Sequence, residues 1–116
     1  MTELNSGNKS DLSDLYQRLM DINQEAFARE WYDVGYHALA GALYCAQILN
    51  DLTDLFEVEN IASKQLEWID DHHPEYQHST ASASRRGHQC IYQNLINQAR
   101  KGAQLRQEVN RKYRFN

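Results

Sequence analysis

The chain is 116 residues long, enough for one small hydrophobic core, and carries a formal net charge of −4. Charged residues make up 24% and apolar ones 41%, with a mean hydropathy of −0.78, a hydrophilic balance that still leaves apolar surface to bury. One Pro and five Gly exclude a turn-rich β domain, and no apolar run approaches the ~20 residues of a bilayer span.

Residues 1–9 read as a disordered lead-in, and with no basic stretch followed by an apolar one they exclude a secretory signal, so the expected compartment is the cytoplasm. A first helix is expected from Ser10 as N-cap, with Asp11 and Asp14 near its positive end. Leu12, Leu15, Leu19, Ile22 and Ala26 recur at three- and four-residue intervals as its core stripe, with Phe27 beside them and Tyr16 and Met20 widening it. Trp31, Tyr32 and Asp33 read as a tight connection with Asp33 as the next N-cap. From Val34 to Leu49 small and apolar residues cover more than one face, which predicts a central helix. Cys45 and Cys90 form no CxxC pair and read as buried free thiols.

Asn50 and Asp51 offer a break or a kink, leaving open whether residues 34–71 form one bent helix or two. Leu52, Leu55, Phe56, Val58, Ala62, Leu66 and Ile69 form the third stripe, ending near residues 71–73 ahead of Pro74. Residues 74–84 read as a loop in which Ser79 or Ser82 caps the last helix. That helix runs through Ile91, Leu95, Ala99, Gly102, Leu105, Val109 and Tyr113. Charge turns over along the way. Residues 1–84 carry four basic and fifteen acidic side chains, a net of −11, and residues 85–116 carry eight and one, a net of +7. The expected architecture is all-α, a three- to four-helix bundle over residues 10–116 with a long basic C-terminal helix.

Two resemblances refine this. Tyr32, Gly35, Leu39 and Ala42-Leu43, with Leu19, Ile22 and Ala26 before them, resemble the helix-turn-helix unit of tetratricopeptide repeats. Asn23, Glu30 and Gln47 depart from its pattern, and no second copy follows, so the resemblance implies a helical hairpin and not a peptide-binding array. His37, Leu39 and Gly41 resemble the acceptor motif of histidine phosphotransfer domains, which implies His37 as phosphoryl acceptor, but Ala40 stands where that family has a cation.

Further candidates come from clustering. Asp71, His72, His73, His78 and His88, with Asp70 and Glu75, carry donors suited to a divalent transition metal, although no two histidines on one helix have the i, i+4 spacing of a helical site. The competing reading places histidines near a helix C-terminus, where cations meet its dipole. Arg85, Arg86 and His88 are a candidate anion site, with Gly87 read as a close-packing position. Arg100, Lys101, Arg106, Arg111, Lys112 and Arg114, interleaved with Tyr113 and Phe115, suit nucleic-acid phosphates, but they also suit acidic helices of the same chain or of another subunit. No catalytic grouping assembles from spacing, and no cofactor or membrane contact is expected. The resulting expectation is a non-catalytic interaction module, homodimeric, with Trp31, Tyr32, Trp68 and Tyr92 as surplus edge aromatics.

Overall fold

A computed structural model describes residues 8–113, which form five α-helices and, among the described residues, no strand: α1 (Lys9–Ala28), α2 (Tyr32–Leu49), α3 (Leu52–His72), α4 (Thr80–Arg85) and α5 (Ile91–Lys112). The protein is all-α, and none of the described helices is long and apolar enough to cross a membrane. The expected lead-in lies outside the described residues up to position 7. Contacts gather into two compact units, one ending at Asp54 and the other beginning at Leu55.

The first unit is a helical hairpin. Its entry differs from expectation: Asn8, not Ser10, is the N-cap, with extended backbone and Oδ1 accepting from the Asp11 N–H at 2.9 Å. Helix α1 closes in a Schellman turn, with Glu30 N–H donating to Phe27 O and Trp31 N–H to Ala26 O while Glu30 takes φ 64°. That turn already delivers the chain in register for α2, so α2 begins at Tyr32 without a side-chain cap. Asp33 lies in its first turn instead of capping it. The helices cross closely because Gly35 and Gly41 lack side chains. A β-carbon on Gly35 would sit 3.5 Å from the Asn23 carbonyl oxygen, and one on Gly41 would sit 3.3 Å from Leu19 Cδ1. Asn23 is fully buried, and its Nδ2 donates to Gly35 O at 2.7 Å. Phe27 packs on Tyr32 with ring centroids 4.9 Å apart.

Asn50 resolves the question left open after α2. It adopts φ 57° in a second Schellman turn, with Asp51 N–H reaching Ala46 O, and Asp51 Oδ1 then caps α3 through Asp54 N–H at 3.0 Å. Residues 34–71 therefore belong to two helices. Tyr16 Oη donates to the Asp54 carbonyl and fixes this corner to α1.

In the second unit α3 and α5 pack where Gly102 admits Leu55, whose Cδ2 lies 3.5 Å from the site of a β-carbon. Tyr92 is fully buried and pairs with Gln65 Oε1. The predicted loop at 74–84 contains helix α4. Ser79 caps α4, not the last helix, by accepting from Ser82 N–H at 3.0 Å while donating to Pro74 O. Asp70 receives both the N–H and the hydroxyl of Thr80, at 2.8 and 2.7 Å. A short helix fixed by side-chain bonds this dense leaves little apolar periodicity to read. Gly87 ends α4 in a third Schellman turn at φ 71°, and nothing lies within 4 Å of where its β-carbon would be. Its role is conformational, which corrects the close-packing reading. Helix α5 starts after Cys90, whose thiol donates to His78 O at 3.4 Å.

Candidate functional site

The histidine-rich segment does not assemble. Among the described residues no group of three or more His, Cys, Asp or Glu side chains could hold a metal ion, which corrects the reading built on Asp71, His72, His73, His78 and His88. His72 instead stacks on Trp68 at 3.6 Å, with Nδ1 at the Trp68 carbonyl. His73 Nδ1 faces Glu75 Oε2 at 3.4 Å, and His78 sits edge-on to Tyr76. Local pairing within two to four residues turns each ring toward its own neighbour.

The candidate anion residues are engaged locally too. Arg86 Nη2 donates to Gln77 O at 2.7 Å and Arg85 Nη2 to Ser82 Oγ at 3.1 Å, so both guanidiniums hold the α4 segment in place, while His88 is exposed. Beside them α4 and the first half of α5 border a cleft of about 260 Å³ lined by Thr80, His88, Cys90, Gln93, Asn94 and Asn97 among others, with no Asp, Glu, Lys or Arg on its wall. Cys45 and Cys90 are free and buried, and burial pushes the Cys45 thiol up from its ordinary value.

His37 is exposed on α2 and meets Tyr36 edge-on at 5.4 Å. The small residue that would give a partner access, Gly41, is filled by Leu19. Ala40, part-buried, supplies no charge.

What the hairpin does present is apolar. Val34, Tyr44 and Ile48 are 52%, 68% and 71% exposed although all lie on the helix expected to be central. With His37 and Gly41 they fall at 34, 37, 41, 44 and 48, alternating three and four, which places them along one side of α2. The neighbouring helix behaves in the same way. Its core is Tyr16, Met20, Asn23 and Ala26, while Leu15 and Ile22, expected in the core stripe, are exposed. Leu19 lies against Gly41, so the two apolar stripes adjoin there, with exposed Arg18 and His37 set among them. The spacing is present in the sequence, but a helix with apolar residues on more than one face does not show which of them stays exposed.

A second exposed stripe lies on α5. Tyr92, Leu95, Ile96, Ala99 and Ala103 are buried, and no described residue beyond Ala103 is. Leu105, Val109 and Tyr113, expected to continue the core stripe, are exposed, with Lys101, Arg106 and Lys112 around them. Of the basic helix only Arg100 meets the expectation of an acidic neighbour, through Nε to Glu59 Oε2 at 2.8 Å. Lys101, Arg106, Arg111 and Lys112 make no ion pair with a described residue. Of the edge aromatics, Tyr32 and Tyr92 are buried whereas Trp31 and Trp68 are exposed.

No protein-family model, curated protein or solved structure matches the chain.

Proposed function

We propose that the protein is a non-catalytic helical interaction module that associates with itself through the apolar face of the α1–α2 hairpin. The observation that carries the reading is the pair of exposed apolar stripes, Leu15 and Ile22 on α1 and Val34, Tyr44 and Ile48 on α2, which adjoin at Leu19 and Gly41. Scattered apolar residues are ordinary on a surface, but two adjoining stripes at three-four spacing form a seam that further helices can close. Trp31 at the hairpin turn, with Arg29 over its ring at 5.3 Å, adds an aromatic at the rim of this face. The resemblance of residues 19–43 to a tetratricopeptide hairpin is compatible with this role, since such hairpins bury a face only against neighbours. The two free, buried thiols suit a reducing, cytoplasmic setting.

The test is sedimentation equilibrium of the wild type against Tyr44→Asp/Ile48→Asp. Both side chains are exposed, so helicity and thermal stability stay near wild type, while the association constant falls by about tenfold or more. A wild-type chain that stays monomeric at high micromolar concentration removes the reading.

A second reading keeps His37 as a phosphoryl acceptor, favoured only by its exposure. It requires that a phosphorylated donor domain label His37 and that His37→Gln abolish the label. In the interaction reading His37 is a polar interruption of the apolar stripe, and His37→Leu strengthens self-association instead.

A further inference from the structure

We propose that the segment covering the α1–α2 face is the carboxy-terminal half of α5 from a second copy of the same chain. This rests on the self-association reading above and adds the identity of the docking segment.

Three observations converge on it. The first is that α5 keeps an apolar stripe after its core contacts stop. Leu105, Val109 and Tyr113 are four apart, exposed, and placed along one side of a helix that buries no described residue after Ala103. At about 1.5 Å per residue this stripe spans about 12 Å, which fits within the ~21 Å from Val34 to Ile48.

The second is charge. Residues 1–54 contain three basic and nine acidic side chains, a net of −6, and they carry the face. Helix α5 contains Arg100, Lys101, Arg106, Arg111 and Lys112 against Glu108, a net of +4. Lys101, Arg106, Arg111 and Lys112 have no ionic partner among the described residues. Packing one hairpin face on another would bring two units of net −6 together, whereas the tail of α5 approaches the same face with the opposite sign.

The third is size. Three apolar side chains are a small contact beside the ~1,200–2,000 Å² that specific pairs bury in total. A two-fold pair makes the contact twice, each copy offering one face and one tail. Nucleic acid is a poorer occupant of the tail, because Leu105 and Val109 provide no stacking surface between the cations.

The experiment measures association of the full chain by sedimentation equilibrium, with circular dichroism on every variant. Leu105→Asp/Val109→Asp removes the tail stripe at exposed positions, and Tyr44→Asp/Ile48→Asp removes the face. Each variant alone is expected to associate about tenfold or more weakly than wild type. An equimolar mixture of the two is expected to associate more tightly than either variant alone and less tightly than wild type, because one of the two face-to-tail contacts is then intact. High salt weakens the wild-type dimer, as ion pairs at its margins are screened. If the tail variant dimerises like wild type while the face variant is monomeric, the exchange is wrong and the self-association reading stands. If the face variant dimerises and the tail variant does not, or if the mixture associates no more tightly than either variant alone, the exchange is wrong as well. A monomeric wild type removes both.

Discussion

Three residues of positive φ close three helices in the same manner, and they differ in what that conformation costs. Glu30, Asn50 and Gly87 each occupy the left-handed position of a Schellman turn, at φ 64°, 57° and 71°. Gly adopts this region freely, Asn tolerates it, and a long side chain with a β-carbon is strained by about 1 kcal/mol. Glu30→Gly is therefore expected to raise the free energy of unfolding by up to about 1 kcal/mol, and Gly87→Ala to lower it by a similar amount. Nothing crowds the Gly87 site, so its loss isolates the backbone term, and urea titration of both variants reads the difference. Gly87→Ala without cost would show that the turn does not fix α4. Asn23 is a different case, a buried amide whose Nδ2 serves Gly35 O inside the hairpin. Asn23→Ala removes the bond and leaves a void, at a cost of about 2 kcal/mol in the same assay. No apolar pattern marks Asn23 as core, and only its register between Met20 and Ala26 on the buried side could have.

At the scale of the element, the existence of the four long helices was legible and their rotation was not. The spacing of α1 supports two adjoining stripes, Leu12–Leu15–Leu19–Ile22 and Tyr16–Met20–Asn23, and the sequence ranks the first higher because it is purely aliphatic. The structure buries the second, since a Tyr that reaches the Asp54 carbonyl and an Asn that reaches Gly35 satisfy their polar atoms inside. The same ambiguity runs through α2, whose apolar residues exceed what one hairpin partner can cover. Helix α4 was missed because side-chain bonds from Ser79, Ser82 and Asp70 hold it, and Ser/Thr-rich composition reads as loop. The end of α3 before Pro74 and the burial of both cysteines were legible, whereas at Asn50 the sequence offered a break or a kink and left the choice open.

For the molecule as a whole, the division of charge was readable and its partner was not. The +7 of residues 85–116 was expected to lie against acidic helices, and Arg100 beside Glu59 fulfils that at one position. The exposed face on α1–α2 was hidden by the assumption that apolar means interior, which fails where a chain has more apolar stripe than it has helices to cover it. That surplus has a thermal consequence. Apolar surface removed from water carries a negative heat-capacity change, and its driving force weakens on cooling. The association proposed through Tyr44, Ile48 and their neighbours should therefore loosen in the cold. Calorimetric dilution at 25 °C and near 5 °C is expected to give a lower association constant at the lower temperature, and one that rises on chilling would mean the contact is polar. Under the proposed self-association the protein would be more assembled when warm, and chilling alone, with no change of sequence or ligand, would shift it toward single chains.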